Sequence, residues 1–376
     1  MRLGDICTIK YGKDHKKLND GDIPLYGSGG VMRHVEKALW SKPSVLIPRK
    51  GTLGNLFFVN KPFWTVDTCF WTDIDEEQVL PEYLFYQLKT KDLASLNVGT
   101  AVPSLTTDVL NEVQIDLPSL EKQKQVVEML GSLDSKIEIN TQLNGYLLEY
   151  LKTYAKTLYC EYENDKNAIL PRNWRWAEIA EIAGMVCRGI APKYSDVSDE
   201  VVLGQTCVRS NLILVENGRT HAPRKKTEKW LKKYDLLINS TGVGSLGRTA
   251  QVWFEPKKLV ADSHITIVRT ADPRYALYLG FWAFKHEKHI ESLHTGSTGQ
   301  TELPRDYVKT MRLVLPDDKT LNRFNKIAVP MVELIVANQR ENKRLEEIRD
   351  RLLPKLMSGE IDVSKIDLMQ LNSHLA

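Results

Sequence analysis

The sequence contains no apolar run approaching the ~18 residues of a membrane span, and its opening "MRLGDICTIKYGK" has no apolar core of signal-peptide length. A leader and a membrane anchor are not expected, and the expectation is a cytoplasmic protein with no membrane partner. Cysteine is scarce. The five present (Cys7, Cys69, Cys160, Cys187, Cys207) are odd in number, scattered and without a C-x-x-C pair, which argues against a disulfide framework and a zinc site. No H-E-x-x-H or close His/Cys cluster occurs; His286 and His289 lack a nearby third ligand and read as a helix surface, so no metal is expected. Charge of one sign is missing too: 51 Lys and Arg against 48 Asp and Glu leave a net +3. Nucleic-acid binding would therefore need clustered rather than overall positive charge. Such clusters exist in "KYGKDHKK" (10–17) and "RTHAPRKKTEKWLKK" (219–233). Also absent are a G-x-x-x-x-G-K-[ST] phosphate loop, an N-P-P-[FYW] or D-P-P-[FYW] methyltransferase tetrad and a helicase signature; "DLPS" (116–119) reads as a connector to a helix cap.

What is present invites a false reading first. "LLINSTGVGSLGRTAQVWFEP" (236–256) spaces Gly242, Gly244 and Gly247 as G-x-G-x-x-G, with Asp262 where a ribose-binding carboxylate would stand. That fingerprint works only as strand, turn and helix, with phosphate on the helix N-terminus. Here β-formers follow Gly247, and Pro256 falls where the helix interior should be. A β-turn-β hairpin with glycines at positive φ is the better prediction.

The chain repeats itself. "EKALWSKPSVLI" (36–47) aligns with "EKWLKKYDLLIN" (228–239), and "KGTLGN" (50–55) with "VGSLGR" (243–248). Gly51 and Gly54 then match Gly244 and Gly247, while Arg49 stands opposite Gly242, so the fingerprint is absent from its own repeat. "TVDT" (65–68) aligns with "VADS" (260–263), pairing Asp67 with Asp262, and "GTAVPSL" (99–105) with "GSTGQTEL" (296–303). "IDLPSLEKQKQ" (115–125) against "LVLPDDKTLNR" (313–323) closes the repeat. Each half reads as a β-rich domain followed by a long helix. The offset grows from the pair Gly12 and Gly189 to the pair Glu36 and Glu228. The second copy thus carries about fifteen extra residues, and the basic run 219–227 is assigned to them.

Val126, Leu130, Leu133, Ile137, Asn140, Asn144, Leu147, Leu151, Tyr154 and Leu158 step by 4 and 3 alternately, a heptad seam. The same ruler marks Phe324, Ala328, Met331, Ile335, Asn338, Asn342, Leu345, Arg349, Leu352 and Leu356. Asparagine in a seam lowers stability but fixes register. Antiparallel packing would set Asn140 opposite Asn342 and Asn144 opposite Asn338, along a seam of roughly 50 Å at 1.5 Å per residue. Pro330 predicts a kink or late start in the second helix, and Pro354 its end or a bend.

"LPSLEKQKQVVEMLGSLDSKIEIN" resembles the first conserved helical region of specificity (S) subunits of Type I restriction-modification systems, and "LLPKLMSGEIDVS" the end of their second. "LLINSTGVGSLGRT" and "VLIPRKGTLGNLFFV" are similar to the hairpin common in their target-recognition domains, and the resemblance covers almost the whole chain. It implies an α+β fold: two β-rich target-recognition domains in pseudo-two-fold arrangement, separated by two long helices packed as an antiparallel coiled coil. The domains would be 1–118 and 161–316, the helical spacers 119–160 and 317–357, and the C-terminal tail 358–376. Each domain would read one half of a bipartite, interrupted site in double-stranded DNA. The helices would set the spacer and dock two methyltransferase (M) subunits, with a restriction (R) subunit as an optional further partner. By the resemblance the chain itself is non-catalytic and binds no cofactor; S-adenosylmethionine, ATP and Mg belong to its partners. Two other classes compete: a coiled-coil scaffold with protein-binding β domains, separable by the salt dependence of DNA binding, and an enzyme binding S-adenosylmethionine.

Phosphate binding needs Lys and Arg, and base reading uses Arg, Lys, Asn, Gln and Ser/Thr from loops or strand edges. The first-domain candidates are Lys13, Lys16, Lys17, Ser28, Arg33, Lys50, Thr100 and Ser104. In the second domain they are Arg188, Arg209, Arg219, Arg224, Lys225, Lys226, Arg248, Ser297, Thr298 and Gln300.

Overall fold

The structure, a computed structural model, describes residues 1–165, 168–223, 229–296 and 301–362. Candidates Arg224, Lys225, Lys226, Ser297, Thr298 and Gln300 lie outside the described residues. The architecture is mixed α and β, and the chain divides into two compact units, Met1–Ile139 with Glu341–Ala376, and Asn140–Arg340.

The first unit begins with α1 (Leu3–Ile6) and β1 (Cys7–Tyr11), followed by β2 (Ile23–Gly27), β3 (Gly30–Val35), β4 (Ser44–Pro48), β5 (Phe57–Val59), β6 (Trp64–Thr65) and β7 (Cys69–Ile74). One sheet has the order β1-β7-β4-β5 with antiparallel neighbours; the other is β3-β2-β6, with β2 and β6 parallel. The run "SVLIP" of β4 is buried at every position, as a continuous apolar run of strand length predicts. α2 (Pro81–Lys89) starts on a proline, whose missing N–H is unneeded in a first helical turn. α3 (Thr107–Asn111) is capped by the Thr106 hydroxyl, which accepts from the Val109 N–H. Both helices close over the sheet, burying Phe70, Tyr83, Leu84, Leu88 and Leu110 in one core. Each such side chain contributes roughly 1.5–3 kcal/mol. The chain then enters α4 (Leu120–Thr157).

The second unit continues with α5 (Cys160–Asn164), β8 (Arg175–Glu178), α6 (Ile179–Ile182), β9 (Ala183–Arg188) and β10 (Glu200–Leu203). A short hairpin, β11 (Val208–Arg209) and β12 (Leu212–Ile213), precedes β13 (Arg219–His221), β14 (Leu236–Asn239), β15 (Thr249–Gln251), β16 (Leu259–Ala261) and β17 (Ile265–Thr270). α7 (Ala276–Lys285), α8 (Glu287–Ser292), α9 (Arg305–Thr310), β18 (Arg312–Leu315) and α10 (Asp318–Met357) complete it. α7, "ALYLGFWAFK", is apolar all round and buried from Ala276 to Phe284, as such a helix must be.

Besides the two-stranded pairs β11-β12 and β18-β8, two larger sheets of this unit run β9-β17-β14-β15 and β13-β10-β16, with β10 and β16 parallel. Strand for strand these are the orders of the first unit, so the repeat is written in the backbone. Its tightest point is a glycine in each copy. The N–H of Gly12 donates to the Cys69 carbonyl and that of Gly189 to Ile265. A Cβ on Gly12 would lie 2.0 Å from the Val66 oxygen, and one on Gly189 2.1 Å from that of Ala261. No other residue fits there.

Backbone pairing corrects two sequence alignments. Lys13 donates to Thr65 as Ile190 does to Ala261, and Cys69 donates to Val66 as Ile265 does to Asp262. The counterpart of Asp262 is therefore Val66, not Asp67, and that of His264 is Thr68. Aligning like side chains slid the turn by one residue, because its equivalence rests on main-chain hydrogen bonds. Secondly, only residues 28–29 separate β2 from β3, whereas residues 204–218 separate β10 from β13. Most of the extra material is this excursion, turned by Ser210 (φ 53°) and Asn211 (φ 64°), and the rest is the longer link 222–235 between β13 and β14, set against 36–43 between β3 and β4. Arg219 opens β13, the counterpart of β3, and does not belong to the insertion.

The hairpin reading of G-x-G-x-x-G holds. β14 and β15 are antiparallel, the loop between them contains no helix, and Gly242, Gly244 and Gly247 have φ of 91°, 74° and 83°.

The long helices pack antiparallel within each unit. In the first, Arg349 of α10 lies 2.7 Å from Asp134 of α4, and the Asn342 amide donates to the Ile137 carbonyl at 3.3 Å. In the second, the Asn338 amide donates to Asn144 Oδ1 at 2.8 Å and the Asn144 amide to the Ile335 carbonyl at 3.4 Å. The expected Asn144–Asn338 pair thus forms, and every predicted seam position is buried or half-buried. The late start expected at Pro330 and the end expected at Pro354 are not seen. α10 runs without a break through Pro330 and Pro354, both of which are exposed. A carbonyl left without its N–H on the solvent side is satisfied by water, so the helix survives. It ends instead at Gly359 (φ 73°), whose N–H closes onto the Leu356 carbonyl.

Candidate nucleic-acid interface

In the first unit, five loops gather beyond the ends of the sheets. Arg33 organises the first: its guanidinium holds Asp20 at 2.9 Å and donates to the carbonyls of His15 and Leu18 at 2.9 Å. That fixes the segment carrying Lys13, Lys16 and Lys17, all exposed and with no carboxylate partner among the described residues. Lys16 lines a cavity of about 760 Å³ with Asp14, His15, Ser28, Met32 and Asp67. The Lys16 N–H, followed by His15, holds the Asp14 carboxyl below its ordinary range. The Asn55 amide donates to the Ser28 carbonyl at 2.9 Å, tying the β4–β5 loop to the β2–β3 turn. Lys50 pairs main chain to main chain with Ser104, and Leu105 donates to the Arg49 carbonyl at 2.9 Å. Asn97 Oδ1 accepts the N–H groups of Gly99 and Ser104, both at 2.8 Å, shaping the loop on which Thr100 stands exposed. The Arg49 guanidinium sits 3.9 Å from Asp67 and over the Tyr11 ring, with its Nε buried and unpartnered.

The second unit uses the same loops differently. Its insertion and its glycine loop enclose an open cleft of about 480 Å³ lined by Gln205, Thr206, Arg209, Asn217, Ser245 and Arg248. Among the described residues no carboxylate lines it and neither arginine is ion-paired. Such a cleft attracts anions and offers planar donors that match phosphate or a guanine edge. Arg219 spreads its guanidinium over the Tyr194 ring, 3.5 Å from the centroid. Arg188 is turned inward, donating to Glu302 and to the Leu303 carbonyl, both at 2.7 Å. Burial pushes its pKa down, and Glu302 opposes that shift. Thr241 forms a bridge with Glu302, and the Leu303 N–H donates to the Ser240 carbonyl, as Leu105 does to Arg49. Main chain to main chain, Arg49 therefore matches Ser240 and Gly51 matches Gly242, not Gly244 as the sequence alignment gives it.

Residues 1–148 match the protein family described as Type I restriction modification DNA specificity domain. The Type I restriction enzyme MjaIX specificity subunit of Methanocaldococcus jannaschii is 24% identical over 93% of this chain and 89% of its own length. The HindI specificity subunit of Haemophilus influenzae is 22% identical over 75% of this chain and 78% of its own. These matches support a specificity (S) subunit of the Type I restriction-modification kind. A crystal structure of the S subunit from M. genitalium shares the fold, with a TM-score of 0.61 and 16% identity over 95% of each chain. The role of a specificity subunit is DNA sequence specificity within a restriction-modification system. The family is generally non-catalytic and works in complexes with DNA and M subunits.

For this specificity subunit the structure sorts the candidates. Lys13, Lys16, Lys17, Ser28, Lys50, Thr100 and Ser104 share one loop cluster, and Arg209 and Arg248 share one cleft. Arg33 and Arg188 are held by internal partners and shape the loops instead. Residues that sequence reasoning passed over stand beside them: Arg49, noted only as a missing glycine, and Gln205, Thr206, Asn217 and His264. The signal for Gln205 to Asn217 was the length of the insertion. His286 is corrected outright. It joins α7 to α8 with its ring stacked on Trp282 and its Nε2 3.0 Å from the half-buried Glu163, not on a helix surface. Among the described residues no helix is long and apolar enough to cross a membrane.

Proposed function

We propose that this specificity subunit reads a bipartite, interrupted site in double-stranded DNA. Residues 1–118 take one half-site and 161–316 the other, while the helices of 119–160 and 317–357 dock two M subunits and set the spacer between halves. S-adenosylmethionine, ATP and Mg act on the partner subunits, an R subunit joins where cleavage occurs, and the chain supplies recognition alone. One observation carries this reading: the same two-sheet frame occurs twice, and its loops are dressed with different cations in the two copies. A duplicated frame with unlike loops suits a target whose halves differ.

The experiment maps methylated adenines in host DNA for the intact system and for one whose residues 1–118 are replaced by a relative's first domain. Half of the motif is expected to change; a change in both halves, or no interrupted motif at all, overturns the proposal. For the assembled complex, changing Arg209 and Arg248 to alanine lowers the slope of log K against log salt by about two. DNA binding that is indifferent to salt would favour the protein-binding scaffold instead.

A further inference from the structure

Beside the arginine cleft, one imidazole is held with its free edge turned to solvent. His264 is exposed, and its Nδ1 lies 2.9 Å from Thr241 Oγ1. The Gln205 amide nitrogen contacts both the Thr241 carbonyl and, at 2.8 Å, the Thr241 hydroxyl. Reversing that amide would press oxygen against the Thr241 carbonyl, so Nε2 is the atom that faces it. The hydroxyl therefore accepts from Gln205, and what it has left to offer His264 Nδ1 is its own proton and one lone pair. A neutral imidazole accepting at Nδ1 carries its proton on Nε2. The main chain is fixed as well: the His264 N–H donates to Asp262 Oδ1 at 2.7 Å, and the Ser263 hydroxyl meets the same oxygen at 3.3 Å.

We infer that His264 is a base-reading residue of the second half-site, presenting an Nε2–H donor to a base-edge acceptor such as purine N7 or thymine O4. This rests on the DNA-reading function proposed above. A phosphate oxygen has the same acceptor chemistry, but the Asp262 carboxylate two residues away makes this a poor seat for an anion. Phosphate is better served by Arg209 and Arg248. Thr241 is a positioning residue that orients the ring, and Gln205 positions Thr241. The first unit has Thr68 at the place of His264, so this donor belongs to one half-site only.

The test compares the methylation motifs written by complexes assembled with wild-type, His264→Ala, Thr241→Val and Thr241→Ser chains, and the salt slopes of their DNA binding. His264→Ala is expected to relax one base pair of the second half, leaving the first half and the salt slope unchanged. Thr241→Val should relax the same base pair less completely, and Thr241→Ser should restore the wild-type motif. An unchanged motif in a folded His264→Ala complex overturns the inference. A lower salt slope with an unchanged motif overturns it in favour of phosphate contact. If His264→Ala fails to fold, Thr241→Val decides alone, and an unchanged motif there has the same force. A wild-type complex that writes no interrupted motif removes the DNA-reading function, and this inference with it.

Discussion

The two units solve one packing problem in opposite ways. Under α2 of the first, the Tyr86 hydroxyl donates to Asp134 at 2.6 Å and Arg349 pairs with Asp134 at 2.7 Å. Burial and the Asp134 carboxylate together push the Tyr86 pKa well up, so the phenol keeps its proton. The second unit has Phe281, Val332 and Leu151 at the corresponding places, all buried. The correspondence is anchored by Tyr83 and Tyr278, whose hydroxyls donate to the matching carbonyls of Asp116 and Val314. One fold therefore tolerates a hydrogen-bonded ion pair or plain hydrocarbon at the same junction. What the ionic version adds is a demand for a particular partner, because removing one member strands the other.

Four sets of substitutions sharpen or break that contrast. The largest effect is expected from Asp134→Val, which strands the Tyr86 hydroxyl and leaves Arg349 only the exposed Asp350 as a charge partner; chemical denaturation should show a loss of ~3 kcal/mol, at the low end for a partly exposed pair. Next come Gly12→Ala and Gly189→Ala, which force a Cβ onto a carbonyl oxygen. Melting of the two proteins should give similar losses, about 1–3 kcal/mol each; a large difference would mean that the two frames are less alike than their hydrogen bonds. Asn338→Leu removes the donor to Asn144 and should cost about 1 kcal/mol, much of it regained by adding Asn144→Leu. The smallest effect is expected from the triple change Tyr86→Phe, Asp134→Val, Arg349→Leu, which copies the second unit into the first. Its denaturation midpoint should lie within about 1 kcal/mol of wild type. A triple variant as weak as Asp134→Val alone would show that the junctions are not interchangeable.

Much of this was legible in the sequence for physical reasons. The hairpin was readable because Pro256 and the β-formers after Gly247 forbid a helix, and the seam because 4-and-3 spacing survives in both copies with its asparagines. Arg349 showed as a lone mismatch in that seam; its partners Tyr86 and Asp134 are distant in the chain, and only the fold brings the three together. The start of the second helix ahead of Pro330 was not legible, because side-chain identity does not tell which side of a helix faces water. Asp67 misled because it resembles Asp262 while the main chain aligns Val66. His264 was invisible: a single histidine means nothing until the fold sets Thr241 and Gln205 against its ring.

The Asp134–Arg349 pair also bears on inheritance of the duplicated halves. α4 and α10 are copies of one ancestral helix by their matching seams, yet the carboxylate lies on one copy and the guanidinium on the other. A peptide made of the first half alone, folding against a second molecule of itself in the same register, would set Asp134 opposite Leu151 and bury a charge against hydrocarbon. The tandem chain has no such conflict. In one tandem chain the halves are free to differ and so to be complementary, and the Asp134–Arg349 pair makes two identical halves unfavourable.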